Sequence, residues 1–214
     1  MILLDELLAA GGTLHGAAAA HRFSDWSYDS RLTRPGEIFI ALQTARADGH
    51  DYIAAALAAG ASGVLCAYPP TDAAQATILK VEDPIALVQR WAATRIRHYS
   101  PFTIAVTGSV GKTSTRRAIA TLLSAQVPTF QSRRSFNGLL GLPLTFSQLG
   151  PEHRFAVLEC GSDRPARSLH LPSSSRPRYP SSLPSARPTC AASTPSPVSL
   201  PRRARLSPHY PLEV

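Results

Sequence analysis

Apolar and polar positions alternate in short blocks along roughly the first 160 residues, and the blocks switch between two periods. Short runs of β-branched and aliphatic residues bounded by turn signals read as buried strands. Longer stretches whose apolar residues return every three or four positions read as helices. Residues 1–10 fit a short amphipathic helix that Gly11-Gly12 ends. Residues 23–28 fit a strand running into Asp29-Ser30-Arg31. The turn Arg34-Pro35-Gly36 follows, and 37–42 predicts a second, mostly buried strand. A polar loop over 45–50 leads into a helix at 52–59, which Gly60 caps, and strands are expected at 63–66 and 77–81. Pro84 suits the first turn of a helix that reaches about Tyr99. The run Phe102-Thr103-Ile104-Ala105-Val106 predicts another buried strand, and Ala118, Ile119, Leu122 and Leu123 predict a helix over 112–125. Beyond it, 128–131 fits an edge strand, a helix is expected around Pro143, and 155–159 fits an apolar strand that ends in an acid. Strands alternating with helices imply an α/β fold.

Between that strand and helix lies Thr107-Gly108-Ser109-Val110-Gly111-Lys112-Thr113-Ser114. A strand, a Gly-containing turn and a helix N-terminus make an anion site, because unpaired N–H groups and the helix dipole converge on one spot. Gly108 and Gly111 let the backbone approach a phosphate, Lys112 adds a mobile charge, and Thr113 supplies a hydroxyl where a P-loop holds Mg²⁺. A strict Walker A pattern needs a glycine where Val106 stands, and Gly-Lys-Thr also occurs in ordinary loops. The flanking strand and helix favour phosphate binding. In open α/β sheets ligands gather at the carboxyl ends of strands. That geometry makes a magnesium role natural for Glu159, with a solvated acid at a strand terminus as the alternative.

Composition narrows the class. The chain has 214 residues, 44% of them hydrophobic, enough for one large or two small domains. No apolar run approaches a membrane span and the first residues carry no basic region, so a cytoplasmic protein is expected. Cys66, Cys160 and Cys190 have no paired or metal-ligand spacing, and the first two sit in apolar runs as buried thiols would. The net charge of +8 is unevenly placed: residues 166–214 hold seven arginines and one acid, a net of +6. The same stretch holds ten of the nineteen prolines and no glycine. Basicity therefore belongs to a Pro/Ser/Arg-rich tail, and the body is nearly neutral.

The motifs taken together resemble the Mur ligases, ATP-dependent amide ligases of peptidoglycan synthesis. Asp29-Ser30-Arg31, the segment 35–42, Asp48-Gly49-His50-Asp51-Tyr52-Ile53 and Gly60-Ala61 resemble the family's N-terminal UDP-substrate domain. Residues 107–113 match its shortened P-loop, which accounts for Val106. The segment 135–145 resembles an Asn-x-Asn-Asn-x-Ile-Gly-x-Pro signature, with Ser135 and Gly138 replacing two asparagines and Asn137 kept. That signature marks the member that joins D-alanyl-D-alanine to UDP-N-acetylmuramoyl-tripeptide. Leu158-Glu159-Cys160-Gly161 fits the family segment whose glutamate binds magnesium.

The resemblance implies a UDP-substrate domain over 1–99 and the first part of a central P-loop ATPase domain over 100–165. It implies ATP and Mg²⁺ as cofactors. ATP would be held by Gly108, Ser109, Val110, Gly111, Lys112, Thr113 and Ser114, with Lys112 catalytic and Thr113 and Glu159 on the metal. Ser30, Arg31, Asp48, Gly49, His50 and Asn137 would bind substrate, with Ser30, Arg31 and His50 on the nucleotide-sugar. Arg31 and His50 could instead form a surface pair that stabilises their loops. In such enzymes ATP phosphorylates the tripeptide carboxylate and the D-alanyl-D-alanine amine attacks the acyl phosphate. A monomer is expected, with no nucleic-acid partner. The other readings are another Mur-type ligase, a generic P-loop ATPase, and a non-catalytic protein whose basic tail binds nucleic acid or an acidic surface.

The resemblance stops after Pro165, where the family continues Gly-Glu-Ile and this chain has Ala166-Arg167-Ser168. Joining the last base of each codon to the first two of the next, that stretch permits Gly-Glu-Ile. Residues 185–193 permit Val-Gly-Pro-Ala-His-Leu-Arg-Gly-Phe in the same frame, and 198–205 permit Gly-Val-Ala, one free position, then Ala-Lys-Gly-Glu. All three are family-like and in family order. A single-base deletion near codon 165 is therefore expected, with 166–214 a disordered, out-of-frame tail that offers no periodic apolar face. On this reading the rest of the ATPase domain and the domain for the amino substrate are lacking. An unpaired sheet edge is left exposed, so the chain should be poorly soluble and without ligase activity. Resequencing the gene checks this: a missing base near codon 165 is expected, and a genomic frame that reads intact through codon 166 refutes it.

Overall fold

In a computed structural model, residues 1–71, 75–133 and 140–161 are described. Three sheets organise them. Strand β1 (Ile2–Leu3) leads directly into helix α1 (Leu4–Ala9), so the helix predicted over 1–10 starts only at Leu4. Strand β2 (Thr13–His15) follows the Gly11-Gly12 stop. The single strand predicted at 23–28 is two pieces, β3 (Arg22–Phe23) and β4 (Trp26–Ser27), in different sheets. β3 pairs antiparallel with β1, placing Ile2 opposite Phe23. β4 pairs parallel with β5 (Ile38–Ile40).

A 3₁₀ turn (Gly49–Tyr52) and helix α2 (Ile53–Ala58) connect β5 to β6 (Gly63–Cys66), and β7 (Thr77–Lys80) lies beside β6. The resulting five-stranded sheet has the order β2-β7-β6-β5-β4, parallel except for β2. Helix α3 (Pro84–Tyr99) spans the predicted residues: Asp83 accepts a hydrogen bond from the Ala86 N–H, Pro84 occupies the first turn, and Ser100 closes the end in the left-handed region at φ 45°.

The next sheet is built from β8 (Phe102–Val106), β9 (Thr129–Gln131) and β10 (Phe155–Glu159), all parallel in the order β8-β10-β9. Among the described residues, β9 lies at the edge position predicted for 128–131. Helix α4 (Lys112–Ser124) crosses from β8 to β9 and packs Ala120, Ile119 and Leu123 onto Val106, Ile104 and Val157. Its buried face runs through Arg116 and Ala120, while Leu122 is 74% exposed, so the packed stripe is rotated from the one predicted. Helix α5 (Gly141–Thr145) carries Pro143 as expected. Among the described residues no helix is long and apolar enough to cross a membrane.

The sheets divide near residue 100, but one apolar core does not. Ile2, Leu7, Leu87 and Trp91 belong to the same cluster as Phe130, Leu144, Phe146 and Ala156. Arg95 is the polar joint within it. Buried on α3, it donates to both carboxylate oxygens of Glu6 (3.0 and 2.8 Å) and from Nε and Nη2 to the Leu149 carbonyl (3.2 and 3.0 Å). Its guanidinium also lies 5.3 Å from the ring centres of Trp91 and Tyr99. Nearby, Asp25 accepts from the Ser147 hydroxyl at 2.7 Å and from Arg133 at 2.6 Å.

Removing one partner of a buried ionic contact leaves the other uncompensated. Glu6 keeps some solvent access (30%), which reduces that cost. Arg95→Ala is therefore expected to lower unfolding stability by about 2–3 kcal/mol, measured by urea denaturation.

Candidate phosphate and metal site

Register creates the site. β8 and β10 pair so that Glu159 lies directly opposite Val106, the last residue before the loop. Both strands thus end at the same level, and the loop 107–111 rises beside the acid. Gly108 has φ +144° and Gly111 φ +81°, conformations that L side chains rarely adopt. A Cβ at either would meet nothing closer than 3.8 Å, so these glycines are needed for backbone shape and leave open space in front of the loop. Helix α4 begins at Lys112 with no side-chain cap and no acid in its first turn. Its dipole and unpaired N–H groups are left for an external anion. Lys112 Nζ donates to the Gly108 carbonyl at 2.6 Å, folded back over its own loop.

Glu159 is 4% exposed. Thr113 Oγ1 donates to Glu159 Oε2 at 2.8 Å, and the Glu159 N–H donates to Ser132 Oγ at 2.9 Å. Thr113 and Glu159, 46 residues apart in sequence, are thus brought together as predicted. Among the described residues there is no cluster of three or more His, Cys, Asp or Glu side chains. The donor set nevertheless fits magnesium, a hard cation that takes one or two protein oxygens and completes its shell with phosphate and water. A hydroxyl and a carboxylate beside an uncapped, glycine-shaped loop are that chemistry.

Arg116 was not predicted. It is 2% exposed, its Nε lies 3.5 Å from Glu159 Oε2, and Nη1 donates to Gln131 Oε1 at 2.9 Å and to the Ser132 carbonyl. The signal available in sequence was its position, three residues after Thr113 and hence on the same helix face.

The other predicted site residues have local partners. Asp29 binds Arg31 through its backbone N–H and guanidinium, and those bonds hold the Asp29 carboxyl down to about 2. Ser30, between them, is half-buried. Asp48 accepts from the His50 N–H at 2.9 Å and is hydrogen-bonded to His50 Nδ1, which lowers its pKa. His50 Nε2 accepts from the Ala67 and Tyr68 N–H groups (3.1 and 3.3 Å), so both ring nitrogens are engaged in tying the loop to the end of β6. Arg31 and His50 therefore do not pair with each other; each fastens its own loop. Gly49 has a steric role: a Cβ there would lie 2.4 Å from the Leu42 N. Asn137 lies outside the described residues, as do Cys190 and the tail expected to be disordered. Burial pushes the Cys66 thiol up to about 11, and burial with the Glu159 charge raises Cys160.

Two family models match: the Mur ligase family, catalytic domain, over residues 24–96, and the Mur ligase middle domain over 106–178. The chain belongs to the Mur ligase family. The middle-domain match runs past Pro165, where the sequence reading ends the resemblance, into residues outside those described. The UDP-N-acetylmuramoyl-tripeptide–D-alanyl-D-alanine ligase of Synechocystis is 35% identical over 139 residues, covering 64% of this chain and 31% of the relative. The ligase of that name from Escherichia coli is 32% identical over 154 residues, covering 70% and 32%. Among solved structures, a MurF of Acinetobacter baumannii matches with a TM-score of 0.69 at 29% identity, covering 77% of this chain and 36% of its own. MurF of Thermotoga maritima in complex with ADP matches at 0.57 and 29%, covering 67% and 33%. The chain thus spans about a third of the length of the curated Mur ligases it matches.

The Gly49 contact yields a test independent of ligands. Gly49→Ala forces a methyl into the Leu42 backbone and is expected to cost about 3 kcal/mol, read from the denaturation midpoint. His50→Ala, which loses hydrogen bonds without a clash, should cost about 1–2 kcal/mol.

Proposed function

We propose that this chain is the N-terminal part of an ATP-dependent amide ligase that adds D-alanyl-D-alanine to UDP-N-acetylmuramoyl-tripeptide. The observation that carries the proposal is the Thr113–Glu159 contact, 2.8 Å long, beside an uncapped, glycine-shaped loop. A structural loop would not need two positive-φ glycines facing open space, an acid-free helix start and a buried carboxylate together. The ADP named with the Thermotoga MurF structure agrees with that use of the loop.

In this reading residues 108–114 hold the phosphates of ATP. Lys112 leaves the Gly108 carbonyl for the transferring phosphoryl group, offsetting its charge as the tripeptide carboxylate attacks. Thr113 and Glu159 are the oxygens that would hold magnesium, which when bound supplies further positive charge to the phosphates. Ser30, Arg31, Asp48, Gly49, His50 and Asn137 belong to the substrate side. Arg31 has the exposure for such a role (85%), whereas His50 acts by shaping its loop. The working place is the cytoplasm, and the unit a monomer.

The tail 166–214 is, on this proposal, an out-of-frame product. A generic P-loop ATPase is the second reading, and the UDP-linked substrate separates the two.

Isothermal titration of the 214-residue chain tests the proposal. ADP with Mg²⁺ and UDP-N-acetylmuramoyl-tripeptide are each expected to give a saturable binding isotherm. Lys112→Met should weaken ADP at least about tenfold, the worth of one charge-assisted phosphate contact. ADP binding without any response to the UDP-linked peptide would favour the generic ATPase.

A further inference from the structure

The Glu159 carboxylate already has a cation beside it. Arg116 approaches from α4 with Nε 3.5 Å from Glu159 Oε2, and both side chains are nearly buried, 3% and 5% exposed. Arg116 Nε has no hydrogen-bond partner, whereas Nη1 is anchored to Gln131 and to the Ser132 carbonyl. The guanidinium is therefore pinned to the end of β9 and holds its charge at the acid without closing a hydrogen bond on it from Nε. Thr113, the other oxygen donor, lies one helical turn away on the same face.

We propose that Arg116 is a resident counter-cation that makes divalent-cation capture by Thr113 and Glu159 conditional on bound nucleotide. This rests on the phosphate-site reading above and goes on to say how that site is regulated. Two effects of the guanidinium oppose each other. It steadies the carboxylate, which helps a metal, and it repels a doubly charged ion, which hinders one. Repulsion scales with the product of the charges and is poorly screened where water is excluded. Steadying is worth about one hydrogen bond. Repulsion wins, so the cation site is weak by itself. The anionic phosphates of a nucleotide at the loop reverse the local balance, and metal and nucleotide then enter together.

Titrating Mn²⁺ into the full chain, with free Mn²⁺ followed by its electron paramagnetic resonance signal, separates the possibilities. Wild type is expected to bind Mn²⁺ weakly alone and much more tightly with ADP present. Arg116→Gln and Arg116→Met should each tighten Mn²⁺ binding without nucleotide by at least about tenfold, shrinking the ADP-dependent gain. Arg116→Lys, which keeps the charge, should return binding towards wild type. Adding Glu159→Gln to Arg116→Gln should abolish the nucleotide-free binding, because the two side chains act on the same ion. If neither Arg116→Gln nor Arg116→Met tightens Mn²⁺ alone, folded or not, the inference is overturned. If wild type shows no gain from ADP, the phosphate-site reading fails and takes this inference with it.

Discussion

The parallel pairing of β8 with β10 is the constraint on which the candidate site depends. Because Val106 and Glu159 are register partners, the loop after one strand and the acid ending the other must meet. A slip of one residue would turn the acid to the opposite face of the sheet. The register is held by the central position of β10, whose Ala156, Val157 and Leu158 are all almost fully buried. Ser132 secures its end by accepting the Glu159 N–H. Chemistry at this site is therefore a consequence of packing some distance below it.

The same dependence links the two sheet systems. Arg95 and Asp25 are polar groups inside a largely apolar contact, and both are engaged across it. An apolar contact alone would tolerate sliding. The carbonyl of Leu149 and the hydroxyl of Ser147 fix one arrangement, since each is reached by a donor or acceptor of defined direction. The segment that precedes β10 is thereby held against α1 and α3, and the start of β10 is set with it.

The amino-acid sequence revealed the elements that carry strong local signals. Asp83-Pro84 set the start of α3, and the β-branched run 102–106 and the apolar run 155–159 became strands with those bounds. Thr113 with Glu159 was legible because strand ends gather ligands. What failed was information that lies between segments. The strand Thr13–His15 has one apolar residue and earns its place only by pairing with β7. Residues 23–28 look continuous, but Ser24 and Asp25 mark the crossing from one sheet to another. Arg116 next to Arg117 reads as a solvated pair, yet Arg116 is buried because a carboxylate, an amide and a carbonyl from two strands converge on it. His50 has the residue type of a ligand contact, and its nitrogens are taken by backbone amides and Asp48, partners no periodicity can show.

A crystal structure of the chain grown with ADP and Mg²⁺ tests the central claim most directly. The account predicts the β-phosphate within hydrogen-bonding distance of the N–H groups of residues 109–113, Lys112 released from the Gly108 carbonyl, and a metal touching Thr113 Oγ1 on the side of Glu159. Nucleotide bound away from the loop, or Glu159 turned away from the metal, would contradict it.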